Sequence, residues 1–441
     1  MIWYLDRSEV PDLEQIPPQV LRFLVGRAEL AAGRWDKLWR YYLGRHDILN
    51  AQGDNEVKVA VNYAKYVVDI ALGYYLGRPV KYDANQVDAL GRKVDLRPLL
   101  DCYERGRIHQ VDTAVARTMG VMGECLELCY AGRERLPMPH SARIDPRNGI
   151  LVCDTTVEHA KLFAIVWEKR RKISGEQYYF LTVYTDRTAR DYICGDLSGE
   201  QFRPVGEVRY HWFGAVPVIA YTNNEERQGD FEQILSLIDA YDGLMSQRLT
   251  DKKKFVDALL VFFGMTLAEG DERRLAVEKF IDGAPLDARA EYIQKTFNES
   301  EVQVLADALV GEMHKMTLTV DLSDERFSGN SSGQALKLKL LAMDQLCRSK
   351  MGRMEQGLRE RLELYNHFLT VRGAMGPVDH SQVDVVFTPN LPVNESETVD
   401  LVCRLQGIVD DQTLLSQLWF VRDPAEAVEN LRRQREEAEE I

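Results

Sequence analysis

One run of five residues has the spacing of a catalytic nucleophile. Gly329, Asn330, Ser331, Ser332 and Gly333 fit the pattern G-x-S-x-G, in which the serine lies on a sharp turn between a buried strand and a helix. A helix is predicted after the run, but the preceding residues, DLSDERFS, are polar and charged and do not predict a buried strand. A small, uncharged loop before a helix is therefore the simpler interpretation.

A serine hydrolase would also need an acid and a histidine close to its serine. Asp379 and His380 follow downstream, but they are adjacent in the sequence, whereas a catalytic triad collects its members from separate loops. A soluble serine hydrolase that uses Ser331 stays open as an alternative. Loss of activity on Ser331→Ala would identify it.

Other catalytic and cofactor motifs are missing from the sequence. It contains no Gly-Lys dipeptide, which excludes a Walker A phosphate loop, and it contains no HExxH, CxxC or GxGxxG pattern. The eight histidines are isolated from one another, and the seven scattered cysteines suit small core residues of a protein kept reduced. We therefore expect no cofactor, no metal and no enzymatic activity.

The composition is that of a globular protein with an excess of acidic residues. The chain has 441 residues, 45% of them apolar, and its 69 acidic residues against 55 Lys and Arg give a net charge of −14. This balance excludes a protein that binds nucleic acid through an overall positive charge. No stretch approaches the about 20 apolar residues of a membrane span, and the first residues lack a signal-peptide pattern. We expect a protein made in the cytoplasm that contacts no membrane.

Periodicity divides the first half of the chain into a helical and a β-rich part. Residues 1–118 are predicted as helices, because apolar residues such as Trp35, Leu38 and Tyr42 recur at the spacing of one helix face. Residues 119–222 contain short apolar runs, rich in β-branched and aromatic residues, with turn residues between them, and this pattern predicts strands. The predicted fold class is α+β, mainly helical.

The second half begins with two predicted helices, 230–254 and 299–316, on either side of an insert, 255–298. The insert is predicted as a strand, a helix and a second strand. An apolar stripe recurs along the first helix at steps of three or four residues: Phe231, Ile234, Ile238, Tyr241, Met245 and Leu249. Because the two helices are too apolar on one face to stand alone, we expect neighbouring subunits to cover them.

The longest predicted element follows Gly333. Apolar residues at steps of three and four predict one helix over 334–371, which would be roughly 57 Å long and indicates a bundle, a coiled coil or a large assembly. Gly352 and Gly357, each less favourable than Ala by about 1 kcal/mol, are candidate kink positions. Residues 334–361 carry seven basic and three acidic residues. A solvated or subunit-pairing face and contact with a polyanion are both open interpretations of this charge.

Several stretches, in order along the chain, resemble the signatures of one protein family. WRYYLGRHDIL, Asn62 and GYYLGRPVKY resemble the N-terminal signature of the portal proteins of tailed bacteriophages, in the family typical of siphophages. FGAVPVIAYTNNEERQGDFEQILSLIDAYDGLMS resembles the central segment of that family, and LSDERFSGNSSGQALKLKL resembles its loop and following helix. FTPNLPVNESE and GIVDDQTLLSQL resemble its late signatures.

The resemblance implies a portal fold that assembles into a homo-oligomeric ring, usually a dodecamer, with a DNA channel along its axis. The parts that it implies, in chain order, are a wing at 1–229 with a helical and then a β-rich part, a stem helix at 230–254, a clip at 255–298, a second stem helix at 299–316, a return to the wing at 317–395 with a tunnel loop at 327–333 and the long helix at 334–371, and a crown at 396–441.

The resemblance also implies a function, partners and a location. The ring would lie at one vertex of the virion capsid, after assembly in the cytoplasm of the bacterial host, and double-stranded DNA would be packaged and ejected through it. Its partners would be the terminase large subunit, a head–tail adaptor, and the major capsid and scaffolding proteins. A non-viral helical scaffold protein stays open as a further alternative, and only the portal should form a closed ring with an axial hole.

The tunnel loop would line the narrowest part of the channel. The residues expected to contact DNA there are Phe327, Ser328, Gly329, Asn330, Ser331, Ser332, Gly333 and Lys337. Small, uncharged polar side chains suit weak contacts with phosphates that carry no sequence preference. A strongly acidic ring would keep DNA away from the rest of the wall, so that the DNA can slide.

Overall fold

A computed structural model describes the chain over residues 1–50, 57–84, 94–198, 201–256, 259–263, 289–293, 299–321, 333–390, 400, 402–416, 418, 421, 427–431 and 433. The principal helices are α1 (Pro18–Tyr42), α2 (Tyr63–Tyr75), α3 (Arg97–Arg105), α4 (Ile108–Met122), α5 (Leu235–Val256), α6 (Glu299–Thr317), α7 (Gly333–Val371) and α8 (Asp411–Ser416). None of the helices within these residues is long and apolar enough to cross a membrane.

Within the described ranges, the strands form two larger sheets and two strand pairs. They are β1 (Ile2–Tyr4), β2 (Lys81–Ala84), β3 (Glu124–Ala131), β4 (Pro139–Ile144), β5 (Gly149–Cys153), β6 (Lys161–Arg171), β7 (Gln177–Tyr184), β8 (Thr188–Cys194), β9 (Arg203–Tyr210), β10 (Val218–Thr222), β11 (Leu259–Phe263), β12 (Arg289–Ile293) and β13 (Val383–Val386). The sheets have the strand orders β1-β5-β6-β7-β8-β9 and β10-β3-β4, and the pairs are β11-β12 and β13-β2.

The six-stranded sheet packs against the first half of α1. Leu21, Leu24 and Val25 of this helix are fully buried with Phe163 and Leu181 of the sheet. A proline at the first position of α1 favours the start of the helix there, because its fixed φ suits the helix and its missing N–H would have no partner in the first turn. The sheet is antiparallel apart from its β1–β5 pair, which is parallel.

The second half of α1 belongs to a different apolar core. Trp35, Leu38 and Tyr41 pack there with residues of α2, α4 and α5. Trp35 Nε1 donates a hydrogen bond to the carbonyl oxygen of Met122 at the end of α4 (3.1 Å). Since α1 contributes to both cores, it fixes the large sheet relative to the helices that follow.

The three-stranded sheet and α7 form the largest core. Met354, Leu358 and Tyr365 of α7 are buried together with residues of α2, α3, α4 and the β10-β3-β4 sheet. Gly357 lies directly against the ring of Tyr221, and a Cβ at this position would overlap that ring. The structure therefore assigns Gly357 a packing role. The helix runs without interruption from 333 to 371, as predicted from the sequence.

The described residues confirm several predicted elements and correct one. The β-rich part at 119–222 contains β3 to β10, and the first and third elements of the insert are the paired strands β11 and β12, while its predicted helix lies outside the described residues. The prediction that residues 1–118 are helical is wrong at β1 and β2. These two strands have three and four residues, too few to show a period, and their partners, β5 and β13, are distant in the chain.

Candidate functional site

Most of the predicted DNA-contacting loop lies outside the described residues. This holds for Phe327, Ser328, Gly329, Asn330, Ser331 and Ser332. Gly333 is the first residue of α7, and Lys337 lies in its second turn, where the structure describes the backbone alone. The geometry on either side of the loop is described, and we call this region the loop base: residues 313–321 at the end of α6 and residues 338–350 of α7.

The end of α6 is fixed by hydroxyl and imidazole groups. The Thr317 and Thr319 hydroxyls are hydrogen-bonded to each other (2.6 Å), and His314 Nδ1 lies 3.2 Å from the carbonyl oxygen of Thr319. Between the two threonines, Leu318 has a φ of +54°, in the left-handed region that glycine adopts most easily. The hydroxyl of Tyr66 on α2 donates to the carbonyl oxygen of Val320 (3.0 Å).

The α7 side of the loop base is fixed to the same helix. Tyr74, two helical turns after Tyr66 on α2, donates a hydrogen bond from its hydroxyl to Asp344 Oδ1 (2.8 Å), and Arg348 Nε donates to Asp344 Oδ2 (2.7 Å). Burial raises the pKa of Tyr74, so its hydroxyl keeps the proton that it donates. Because both sides of the loop base are bonded to α2, this helix sets their separation.

A buried ion pair joins α7 to the turn between β10 and α5. The Lys350 ammonium is paired with Asp230 Oδ1 and hydrogen-bonded to Asn223 Oδ1 (3.0 Å); Lys350 and Asn223 are buried, and the Asp230 side chain is 7% exposed. A cavity of about 160 Å³ adjoins this pair and is also lined by Thr317 and Leu318 of the loop base. Polar groups of Asn223, Asp230 and Lys350 share the lining of this cavity with apolar residues such as Val67 and Met316.

Small residues let the β10–α5 turn approach the end of α4. A Cβ on Gly229 would overlap the carbonyl oxygen of Val121, and one on Gly120 would lie 2.8 Å from Asp230 Oδ2. This close approach allows the Asp230 N–H to donate to the Gly120 carbonyl oxygen (2.7 Å). The stretch NNEERQGD is part of the sequence resemblance, and its residues have a structural role here. Asn223 and Asp230 bind the Lys350 ammonium, and Gly229 allows the close approach of the turn.

A second buried cluster holds α7 to the three-stranded sheet. Arg361 is fully buried; its Nε donates to Glu127 Oε1 (2.7 Å), and its Nη2 donates to Glu127 Oε2 (2.8 Å) and to Asp112 Oδ1 (2.6 Å). The Tyr221 hydroxyl donates to Glu127 Oε2 (2.6 Å). Among the described residues, three buried atoms near this cluster have no hydrogen-bond partner: Arg361 Nη1 and the hydroxyl oxygens of Tyr82 and Tyr103.

The two carboxylates of this cluster differ in protonation behaviour. Burial, together with the charge of Glu127, raises the pKa of Asp112 against the opposing effect of Arg361. Burial also works against ionisation of Glu127, but the Arg361 guanidinium and hydrogen bonds from Arg361, Ser141 and Tyr221 hold its pKa below its usual value. Glu127 is therefore the main counter-ion of Arg361.

The basic residues of α7 do not form a free cationic face over the described part. Besides Lys350 and Arg361, three further cations have acidic partners: Arg348 with Asp344, Arg353 with Glu225 and Arg359 with Glu355. A solvated, subunit-pairing or polyanion-binding surface is wrong for Lys350 and Arg361, which are buried, whereas the Arg348 side chain is 73% exposed, as a solvated face requires. Periodicity could not predict these pairs, because four of the partners, Asp230, Glu127, Asp112 and Glu225, come from distant elements.

The hydrolase alternative gains no support from the described residues. Asp379 accepts hydrogen bonds from the backbone N–H (3.0 Å) and hydroxyl (2.6 Å) of Ser381, and so begins a short 3₁₀ turn. His380 faces Glu363 at 3.8 Å on the surface. Within the described ranges, no group of three or more His, Cys, Asp and Glu residues could hold a metal ion.

Comparison with known proteins identifies the family. The chain matches the family described as phage portal protein, SPP1 Gp6-like, over residues 24–440. Because this match covers nearly the whole chain, the chain belongs to the SPP1 Gp6-like family of phage portal proteins.

Individual relatives agree with this assignment. The chain is 26% identical over 285 residues to the portal protein of Bacillus phage SPP1, a match that spans 60% of this chain and 55% of that protein. It is 21% identical over 415 residues to the portal protein of Clostridium phage phiCD119, a match that spans 88% of this chain and 89% of the relative. The chain thus spans about half the length of the first relative and most of the second.

A solved structure is similar at a lower level. The chain resembles a protein in the neck of an empty GTA particle computed with C6 symmetry, with a TM-score of 0.45 and 11% sequence identity. The similarity covers 80% of this chain and 89% of the neck chain.

Proposed function

We propose that this protein is the portal of a tailed bacteriophage. It would form a dodecameric ring of identical subunits at one capsid vertex, through which double-stranded DNA enters and leaves the head. It would be a structural component of the virion that requires no cofactor. The terminase large subunit, a head–tail adaptor, and the major capsid and scaffolding proteins are its proposed partners. Family membership supports the class of protein, and one structural observation, the uncovered apolar face of α5 and α6, supports the ring.

The two proposed stem helices pack against each other and leave apolar side chains exposed. Arg248 of α5 forms an ion pair with Glu299 of α6 and donates from Nη1 to Gln303 Oε1 (3.0 Å). On the same pair of helices, Val304 is 70% exposed and Leu305 is 51% exposed. Burial of such side chains stabilises an assembly by about 25 cal/mol for each Å² removed from water. A second copy of the chain is the partner that a ring supplies.

A mass measurement tests the ring directly. Native mass spectrometry and negative-stain imaging of the full chain should show a closed ring with an axial hole. The double variant Val304→Asp/Leu305→Asp should dissociate it, because the charged groups would be buried without a partner. Val157→Asp is the matched control, since Val157 is 98% exposed on the β5–β6 connection. A wild-type chain that stays monomeric at micromolar concentration would overturn the proposal.

We also propose that the loop from Phe327 to Gly333 contacts DNA, with Lys337 as the nearest cation. Two features support this: a neutral, small sequence, and a loop base held on both sides by Tyr66 and Tyr74 of α2. A firmly held base lets a short loop keep its position while DNA slides past it.

Charge reversal tests the loop proposal. Ser331→Asp/Ser332→Asp should slow or block DNA packaging and leave the ring intact, because the added charges repel phosphates. Ser331→Ala/Ser332→Ala adds no charge at the same positions, and we expect near-normal packaging. If the Asp variant packaged full-length genomes at the normal rate, we would conclude that another part of the chain forms the constriction.

A further inference from the structure

The buried face of α5 is polar. Asp242, Ser246 and Thr250 follow one another at four-residue spacing, with exposed fractions of 0%, 8% and 2%, whereas Leu249 on the stripe predicted to be apolar and covered is 39% exposed. Tyr241 is the last residue of α5 that packs into an apolar core among the described residues. Beyond it, the helix turns hydroxyl and carboxylate groups inward, and these need hydrogen-bond partners.

The partners are backbone N–H groups of the segment before α2, residues 57–61, which we call the strap. The hydrogen bonds run from Val61 N to Asp242 Oδ1 at 2.8 Å, from Val59 N to Ser246 Oγ at 3.0 Å, and from Val57 N to Thr250 Oγ1 at 3.0 Å. Every second residue of the strap therefore bonds to every fourth residue of the helix. Alternate N–H groups point the same way only when the chain is extended.

The repeat distances of the two elements explain the match. Four residues of α-helix rise about 6.0 Å, and two residues of an extended chain advance about 6.6 Å. The two spacings stay in step over three hydrogen bonds without bending of either element. Because the strap donates from its backbone, these hydrogen bonds do not depend on its side chains. They do depend on the side chains of α5, which provide the acceptor oxygens.

A buried histidine contacts Asp242, the first of the three residues of α5 that bond to the strap. His46 is fully buried, with Nδ1 2.5 Å from Asp242 Oδ2 and Nε2 3.2 Å from the carbonyl oxygen of Tyr41. A carbonyl oxygen can only accept, so Nε2 carries a proton and donates it. Asp242 thus uses one oxygen for His46 and the other for Val61 N, so the two ends of the α1–α2 connection are held at one carboxylate.

We infer that the strap sets the rotation of the second half of α5. By satisfying Asp242, Ser246 and Thr250, it fixes which side of the helix faces the protein, and Leu249, at the edge of that side, is left 39% exposed. If the ring exists, this exposed edge faces the next subunit, and this consequence rests on the proposed function. The strap would then couple the α1–α2 connection of each subunit to its stem interface.

Hydrogen exchange tests the strap independently of the ring. In the full chain, Ser246→Ala/Thr250→Val should raise amide exchange at Val57 and Val59 by about tenfold, which corresponds to about 1.4 kcal/mol. Exchange at Val61, still bonded to Asp242, should change less. Ser236→Ala, at an exposed position of the same helix, should leave all three amides unchanged. Unchanged protection at Val57 and Val59 in the double variant, or an equal change in the control, would overturn the inference.

A proline pair gives a second test that leaves α5 intact. Val59→Pro removes an N–H that donates to Ser246, whereas the N–H of Ala60 has no hydrogen-bond partner among the described residues. Val59→Pro should therefore raise exchange at Val57 far more than Ala60→Pro does. Equal effects would contradict the inference. If wild type proves monomeric while these exchange patterns hold, the strap stands and the ring fails.

Discussion

Two isosteric substitutions in the Arg361 cluster should differ sharply in their effect on stability. Glu127 receives two hydrogen bonds from Arg361 and one from Tyr221, all within the fully buried core. Glu127→Gln removes the main counter-ion and places amide hydrogens against the guanidinium. Breaking a buried ion pair from one side costs about 3–5 kcal/mol, and we expect a loss in this range.

Asp112→Asn should cost less than about 1.5 kcal/mol, the usual worth of one hydrogen bond. Asp112 accepts one bond from Arg361, and an asparagine oxygen can still accept it. Because the pKa of Asp112 is raised, its charge is the less favourable of the two, and its removal relieves repulsion with Glu127. Urea denaturation followed by circular dichroism, at matched oligomeric state, measures both variants. Equal losses in the two variants would refute the unequal roles of the two carboxylates.

The same cluster predicts a pH dependence. Glu127 has a lowered folded-state pKa, so its contribution is present above the unfolded value and is lost as the pH falls through the folded value. Asp112 has a raised folded-state pKa, so acidification through that value adds stability. Asp112→Asn removes this compensation, and the variant should lose stability more steeply than wild type as the pH falls below the raised folded-state pKa of Asp112. Parallel pH profiles would contradict this sign.

Three further predictions follow from local geometry. Gly357→Ala should destabilise the protein, because the Cβ would overlap the ring of Tyr221. Gly352→Ala, with open space around it, should stabilise α7 by up to about 1 kcal/mol. Thermal unfolding of the two variants separates packing from helix propensity, and equal shifts in their unfolding temperatures would contradict this prediction. Leu318→Gly should stabilise the protein by about 1 kcal/mol in the same assay, since it relieves the left-handed backbone, and a destabilised variant would show that side-chain packing dominates there. Deletion of residues 265–289 should leave rings intact and abolish packaging, if the insert docks the terminase and adaptor; packaging at normal yield would refute that role.

The sequence by itself determined where most regular elements lie. The stripes along 230–254, 299–316 and 334–371 predicted α5, α6 and α7 with bounds close to those observed, because a helix of several turns repeats its apolar period often enough to be recognised. The ordered matches to portal signatures, confirmed by the family assignment, also lie in the sequence alone.

Only the tertiary structure decided which faces of these helices are buried. Lys350 and Arg361 belong to a stretch whose charge was open to a solvated, subunit-pairing or polyanion-binding face, yet distant carboxylates compensate both residues in the interior. Asp242 lies on the same face of α5 as Ile238, Met245 and Leu249, where periodicity predicts an apolar contact, yet the structure buries its carboxylate with a backbone N–H of the strap as partner. The apolar period of a sequence reflects the free-energy cost of exposing apolar side chains to water. It gives no information about a buried polar group whose partner lies far away in the chain, because only folding brings the two together.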